Sequence, residues 1–195
     1  MKKVVFLMGL SLLLFGSCAP CQFLVRGGGN IAMVGGDDTD NLSSRFAPFV
    51  GVGTECSIAD VVAIQPELIF SQQGAEYEDS DGFDGRFKFN YLNVPVMAKL
   101  YVSDGVFVEA GPQVGLLLSA KDEYDSPISG EDDIKDEIKS TDFGANIGLG
   151  YQFDSGLNIN ARYNFGLSNI NDFESPGFDF KNQNNVLSVG VGYRF

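Results

Sequence analysis

The sequence predicts an all-β fold, an eight-stranded antiparallel up-and-down transmembrane β-barrel, and three observations predict it. Apolar and polar residues alternate in about eight segments, most strictly in the last ten residues, 186–195. The connections between these segments alternate between short and long. The polar faces carry Asn, Gln and Gly and few charges, which suits an enclosed lumen. Together these are the marks of a barrel with its apolar face in lipid.

Eight segments are the strand candidates because each alternates with a period of two residues. Each is long enough for the roughly 9–11 residues that a tilted strand needs to cross a bilayer. The segments are approximately 22–34, 46–56, 61–72, 87–102, 106–118, 143–153, 157–167 and 186–195.

A soluble β-sandwich or a lipocalin-like barrel also alternates. In those folds the apolar face points inward and the outer face is charged. Here the polar face is too lightly charged for a surface in water. The pattern therefore favours the membrane barrel over the soluble fold.

The connections predict short periplasmic turns and long extracellular loops. The short ones lie near 57–60, 103–105 and 154–156, where Asp104-Gly105 and Ser155-Gly156 are turn signals. The long ones span about 35–45, 71–87, 119–141 and 168–185. An even number of strands returns both termini to the periplasm. Within the longest loop, the spacing of Ile134 and Ile138 predicts a short surface helix over 132–139.

The N-terminus has the composition of a secretory signal peptide. Lys2 and Lys3 precede an apolar run from residue 4 to residue 15, which is too short to span a bilayer as a helix. We expect cleavage after Cys21, which divides the chain into a signal peptide, 1–21, and a barrel domain, 22–195. Lipoprotein processing at Cys18 is the alternative. Cleavage after Cys21 leaves only Cys56, so no internal disulfide is expected.

The formal charge of −13 belongs to the predicted outer loops. The four long loops hold 19 of the 26 acidic residues and six of the 13 basic ones, so the rest of the chain is neutral. Such loops favour solubility, or bind divalent cations that bridge to lipopolysaccharide phosphates. The segment 79–84 begins like a calcium loop but has Phe83 and Asn90 where oxygen ligands and a glutamate are needed. We expect no metal site and no nucleic-acid partner.

Ionisable residues on the polar faces are candidate members of an ion-pair network in the lumen. An eight-stranded barrel is just wide enough to be filled by its own side chains, and a buried charge without a partner is costly. We therefore expect a salt-bridged plug; a proton- or ion-conducting path is the alternative, and a diffusion pore is disfavoured. The candidates are Glu55, Glu67, Lys99, Glu109, Arg162 and Arg194, with Arg26 as a further member.

The composition disfavours an enzyme. The chain has no histidine to activate a nucleophile or a water molecule, and Cys56 has no base beside it. We therefore expect an inert thiol at Cys56, no catalytic residue and no cofactor.

One pattern resembles a known assembly signal, and another resembles a known protein family. Ser188, Gly190, Tyr193 and Phe195 resemble the C-terminal signal that the barrel-assembly machinery recognises in outer-membrane proteins. The stretch YLNVPV at 91–96, together with the closing YRF at 193–195, resembles the PorT-like outer-membrane β-barrel family of Bacteroidetes. The family usually has glutamate where this chain has Asn93, which would weaken an ion pair with Lys99.

The resemblance implies an eight-stranded outer-membrane barrel, in a family whose named member is linked to type IX secretion. We expect a structural or interaction role in the cell envelope; an accessory subunit of a secretion or uptake complex is the alternative, and a lipid-active enzyme is disfavoured. The expected partners are outer-membrane lipid and lipopolysaccharide, the barrel-assembly machinery and an envelope protein.

Overall fold

Eight long antiparallel strands close into a barrel in a computed structural model of the chain. The structure describes residues 21–37, 39, 41–78, 84–125, 129–172 and 181–195. The strands are β1 Cys21–Gly36, β2 Leu42–Ala59, β3 Val62–Glu78, β4 Asp84–Tyr101, β5 Val106–Asp125, β6 Gly130–Asp133, β7 Thr141–Gln152, β8 Leu157–Gly166 and β9 Asn182–Arg194. Consecutive barrel strands pair, and β1 pairs with β9 to close the ring. The predicted eight-stranded up-and-down barrel is confirmed; β6 is a short addition that pairs only with β5 among the described strands.

The side chains are arranged with polar residues inside and apolar residues outside. Leu149 is 62% exposed and Val191 is 56% exposed on the outer face, whereas Gln65 and Asn146 are buried in the lumen. Two exposed aromatic residues, Phe143 near the start of β7 and Phe153 just after its end, lie ten positions apart. At the usual strand tilt of ~40° this spacing corresponds to about 25 Å, the height of the apolar band of an outer-membrane barrel.

The strands are longer than predicted at their extracellular ends. β2 already begins at Leu42, β3 runs to Glu78, and β5 runs to Asp125. The predicted long loops at 35–45, 71–87 and 119–141 therefore consist partly of paired strand. Period two fails to reveal these ends because polar residues lie on both faces once a strand leaves the lipid. The segment 79–83, most of the calcium-like stretch, lies outside the described residues.

The predicted short turns are present at the periplasmic end. Gly105 and Gly156 follow Asp104 and Ser155, with φ of 78° and 92°. These left-handed values are the ones that favour glycine in a tight turn. The two turns join β4 to β5 and β7 to β8.

The predicted helix over 132–139 is wrong. This stretch forms the end of β6 and a single 3₁₀ turn, Lys135–Glu137. Ile134 and Ile138 both pack on an apolar cluster at the mouth of the barrel, so tertiary contacts determine the backbone there. Within the described ranges, no helix has the length and hydropathy of a membrane span.

A disulfide joins Cys21 of β1 to Cys56 of β2. The two residues lie opposite each other in the register of these strands. The expectations of no internal disulfide and of an inert Cys56 thiol are therefore wrong, because both removed Cys21 with the signal peptide. Residues 1–20, including Cys18, lie outside the described residues, so cleavage after Cys21 stays a prediction. A mature protein that keeps this disulfide requires cleavage before Cys21 instead.

We expect peptide mass spectrometry to detect this disulfide in protein purified from the envelope. Without reduction, iodoacetamide should modify neither Cys21 nor Cys56, because both sulfur atoms are oxidised. After reduction, each should gain one carbamidomethyl group. A mature chain that begins at Gln22, or a Cys56 that reacts without reduction, would contradict the expectation.

Beyond the lipid-facing band, the ends of β3, β4, β5 and β6 continue as a small outer sheet that carries exposed ion pairs. Glu123 accepts hydrogen bonds from Lys88 and Arg86 on the neighbouring strand. Lys121 pairs with Glu131 of β6. The hydrogen bonds from Lys88 and Arg86, more than the attraction of their charges, lower the pKa of Glu123 to about 2.

The stabilisation from Glu123 should depend on pH at the acid end. A carboxyl whose pKa is lower in the folded protein stabilises it above its ordinary value of 4.5, and this contribution is lost as the pH falls towards 2. A ¹³C NMR titration of the Glu123 carboxylate should therefore have its midpoint below 4.5. In Lys88→Gln the midpoint should rise, because a cationic hydrogen-bond donor is replaced by a neutral amide. An unchanged midpoint in that variant would show that Lys88 does not hold the carboxylate.

Candidate functional site in the barrel lumen

Seven charged side chains of the lumen form one network, each placed inward by the strand alternation. They come from seven of the eight barrel strands, and all are buried except the partly exposed Arg194. These residues are Arg26 of β1, Glu55 of β2, Glu67 of β3, Lys99 of β4, Glu109 of β5, Arg162 of β8 and Arg194 of β9. The six predicted candidates and Arg26 thus lie in one enclosed space.

Glu67 is the centre of the middle part of this network. Arg162 Nη2 lies 2.9 Å from Glu67 Oε1, and Arg162 Nη1 lies 3.2 Å from Oε2. From the other side, Arg26 Nη1 donates to Glu67 Oε2 at 3.1 Å. The remaining donors are also used, since Arg162 Nε bonds Glu109 Oε1 at 2.9 Å and Arg26 Nη2 bonds Asn160 Oδ1 at 3.1 Å. Planar guanidinium groups suit such forked recognition of carboxylates.

Glu55 is the centre of a second group nearer the periplasmic turns. Lys99 Nζ donates to Glu55 Oε2 at 2.7 Å and to Gln65 Oε1 at 3.1 Å. The Tyr101 hydroxyl donates to Glu55 Oε1 at 2.7 Å, and Arg194 pairs with the same carboxylate. Both oxygens of Glu55 therefore accept hydrogen bonds although the residue is buried.

Gln65 joins the two groups into one network. Its carbonyl accepts from Lys99, and its amide donates to Glu67. The ring of Phe107 lies beneath the ammonium of Lys99, with its centroid 3.8 Å from Nζ. Close contact of this kind with an aromatic face stabilises a desolvated cation.

Amide and hydroxyl side chains occupy the next layer towards the outside. Asn30 donates to Ser71 Oγ at 2.9 Å, and Ser188 Oγ donates to Asn30 Oδ1 at 2.7 Å. A cavity of about 20 Å³ remains in this layer, with Asn93 and Asn146 in its wall. A space of that size holds about one water molecule. The resemblance implied a role for position 93 beside Lys99, but Asn93 lies in this layer, and Lys99 pairs with Glu55.

An apolar cap closes the extracellular mouth above these layers. It comprises buried residues of β4, β5 and two loops: Phe89, Tyr91, Leu117, Ala120, Ile138 and Ile170. Backbone hydrogen bonds hold the loops together, from Lys139 N to Ile170 O at 2.7 Å and from Asp172 N to Glu137 O at 2.8 Å. Sequence reasoning missed the cap, because its two loop isoleucines are isolated apolar residues in polar segments.

The four residues of the predicted assembly signal lie on both faces of β9 and at the chain end. Ser188 and Gly190 point inward, and Gly190 packs against the ring of Phe49. Tyr193 and Phe195 are exposed on the outer face with ring centroids 5.0 Å apart. The assembly role of these residues stays a prediction.

The described residues contain no group of three potential metal ligands of the His, Cys, Asp or Glu type. Chemically, the site consists of paired charges and hydrogen-bonded amides. Its arrangement fills the middle of the lumen and connects strands on opposite sides of the barrel.

Three solved outer-membrane barrels have similar folds. Neisserial surface protein A has 14% identity and a TM-score of 0.53, with 90% of this chain and 99% of that chain covered. Ail, the attachment invasion locus protein of Yersinia pestis, has 18% identity and a TM-score of 0.51, with 89% and 98% covered. A major outer membrane protein from Thermus thermophilus has 16% identity and a TM-score of 0.53, with 90% and 100% covered. These identities are too low to carry more than the fold.

No curated protein matches the chain. A family model described as outer membrane protein beta-barrel domain matches residues 19–172, most of the chain. The chain belongs to this family and is a small β-barrel protein of the outer membrane.

Proposed function

We propose that this protein is a non-conducting barrel with a structural or interaction role in the cell envelope. The observation that supports the proposal most is the closure of the lumen. The network around Glu67 and Glu55 fills its middle and periplasmic parts, and the apolar cap fills its mouth. In a filled barrel, the two ends and the outer face are available for interaction. The side chains in the lumen stabilise the fold.

The energetics of the network support a plug more than a conducting path. Ion movement through the lumen would have to separate Glu67 from two arginines in a desolvated space. Removing one partner of such a buried pair typically costs about 3–5 kcal/mol.

The extracellular end is the proposed contact surface. The predicted outer loops carry the whole formal charge of −13. Carboxylates of this density would attract divalent cations that bridge to lipopolysaccharide phosphates, or a basic surface of an envelope protein. During biogenesis, the partner would be the barrel-assembly machinery, which would read the C-terminal strand.

A second candidate function is an accessory subunit of a secretion or uptake complex. The pattern YLNVPV at 91–96 favours it, through its resemblance to the PorT-like family. In this candidate, too, the barrel is a membrane-bound platform with a closed lumen. The partner would then be a stable protein complex. In the first candidate, by contrast, the partner is lipid or a transiently bound envelope protein.

Conductance in a planar lipid bilayer tests the closed lumen. The purified wild-type protein should produce no ion-current steps under an applied voltage. A variant in which glycine replaces Arg26, Glu67 and Arg162 lacks the side chains that fill the middle of the lumen, and it serves as the positive control. Steps from the wild-type protein at the control's amplitude would overturn the proposal.

Cross-linking in intact cells, followed by purification from solubilised outer membrane, separates the two candidates. Recovery of lipopolysaccharide or single envelope proteins supports the structural role. A stoichiometric secretion or transport complex supports the accessory subunit.

A further inference from the structure

A second cavity lies outside the cap, open to the exterior. It has a volume of about 470 Å³ and is distinct from the small polar cavity in the lumen. Its apolar walls come from five parts of the chain, the strands β1, β2 and β4 and two loops: Val34, Leu42, Phe87, Phe89, Ile134, Ile138 and Ile170. We call this cavity the outer cup.

The walls of the outer cup are fixed before any ligand enters. Phe89, Ile138 and Ile170 belong to the buried apolar cap, so the floor is part of the packed core. The loop that carries Ile170 is held by hydrogen bonds from Ile170 N to Asn182 O at 2.9 Å and from Asn182 N to Asn169 Oδ1 at 3.1 Å. Preformed apolar cavities of roughly 300–1,000 Å³ are typical of small-molecule sites.

The charged groups among the described residues that line the cup are all negative. Asp37 and Glu137 contribute carboxylates, and Tyr77 contributes a hydroxyl that donates to Asp122 at 2.9 Å. Among the described residues that line the cup, none is basic. Asp37 is held in place because Lys181 N donates to its Oδ2 at 3.0 Å. An apolar space with an acidic lining is complementary to an apolar molecule with a cationic end.

The cup ends at the cap. Beneath its floor lie the amide layer and the ion-pair network, which fill the lumen to the periplasmic turns. A ligand therefore enters and leaves on the extracellular side only.

From this geometry, we propose that the outer cup binds small cationic amphiphiles, with the apolar chain against Phe87, Phe89 and the isoleucines and the cationic group beside Asp37 and Glu137. This site adds a ligand to the proposed envelope role and does not depend on it. The cup would capture such molecules at the cell surface and would not transport them.

Methyl NMR offers a direct test, because three isoleucines line the cup and others lie elsewhere. The protein is labelled with ¹³C at the isoleucine δ1 methyls and placed in dodecyl maltoside micelles, which are uncharged. Hexyltrimethylammonium is titrated as the probe. We expect saturable shifts at Ile134, Ile138 and Ile170. Ile147 and Ile159, exposed on the lipid face, should not shift, and they report any partition of the probe into the micelle.

Two further probes test the chemistry of the ligand. Hexanoate has a similar apolar chain with the opposite charge, and hexanol has no charge. Both should bind more weakly than hexyltrimethylammonium. Equal binding of hexanoate would overturn the assignment of a cationic ligand, and so would equal binding of hexanol.

Two variants test the position of the site. Val34→Trp fills the cup from its partly exposed wall and should abolish the saturable shifts, while the unchanged remainder of the spectrum reports that the barrel is folded. Glu137→Gln keeps the shape and should weaken binding of the cation about two- to fivefold, with little effect on hexanol. Shifts confined to Ile147 and Ile159, or unchanged binding in Val34→Trp, would overturn the proposal.

Discussion

Replacing Glu67 by glutamine should lower the free energy of unfolding by about 3–5 kcal/mol. The Glu67 side chain is completely buried and holds Arg162 with two hydrogen bonds and Arg26 with a further ion pair. Glutamine keeps the volume but removes the charge, so two guanidinium groups remain in the lumen with only Glu109 as a carboxylate partner. The cost arises from these desolvated cations more than from the lost hydrogen bonds.

Urea unfolding in detergent micelles, followed by circular dichroism, measures this cost. Glu123→Gln is the matched control, because Glu123 also accepts from two basic side chains but lies partly exposed in the outer sheet. The control should lower the unfolding midpoint much less than Glu67→Gln does, because water screens the charges around Glu123. Adding Arg26→Met to Glu67→Gln should recover part of the loss, since one unpaired charge is removed. Equal midpoints for Glu67→Gln and the control would mean that the network contributes no net stability.

Replacing Leu149 by arginine should lower the free energy of unfolding by about 2–4 kcal/mol. Leu149 is 62% exposed on the outer face of β7, close to midway between the outward aromatic residues Phe143 and Phe153. An arginine there would place its charge near the middle of the hydrocarbon. Since Leu149 lies opposite Val108 and Ala161, no acidic side chain is directly across from it.

The control for this substitution places the same charge at a different depth in the membrane. Leu167 is 63% exposed but follows the extracellular end of β8, so Leu167→Arg places the same charge near water. Its expected cost is only about 0–1 kcal/mol. Both variants are to be unfolded in lipid vesicles, because the depth of a side chain in the hydrocarbon is defined there. If Leu149→Arg were as stable as Leu167→Arg, the outer face of β7 would not be in contact with lipid.

The lipid-spanning part of the fold could be predicted from the sequence because each strand there has two different environments. Leu149 and Val191 meet lipid, while their neighbours Gly150 and Gly190 face inward, and this difference produces the period of two. The outer strand ends have no such contrast. Around Ser43 and Glu76, water surrounds both faces, and backbone pairing alone defines the strand.

The members of the lumen network could be predicted, but their partners could not. Charged residues are rare on the inward faces of the predicted strands, so each of the seven network members was visible as a candidate. Arg45 and Asp142, which are also buried, lie outside the predicted strands and were missed. The pairing of Glu67 with Arg162 joins β3 to β8, 95 residues apart, and depends on the stagger of strands around the barrel. For the same reason, the central position of Arg26 was visible only in three dimensions.

The cap and the outer cup could not be predicted, because both depend on how loops pack. Ile138 and Ile170 lie in polar loops, and their burial results from backbone hydrogen bonding between the two loops and from contact with β4 and β5. Neither local periodicity nor composition contains this information.

The disulfide between Cys21 and Cys56 has a consequence for the accuracy of assembly. A slip of one residue between β1 and β2 would turn every side chain of one strand to the opposite face, and it would also carry Cys21 away from its partner. The disulfide can form only in the correctly aligned hairpin, so its formation selects the native register of β1 and β2. Because β9 pairs with β1 to close the ring, the register of that closing pair also depends on the alignment of β1.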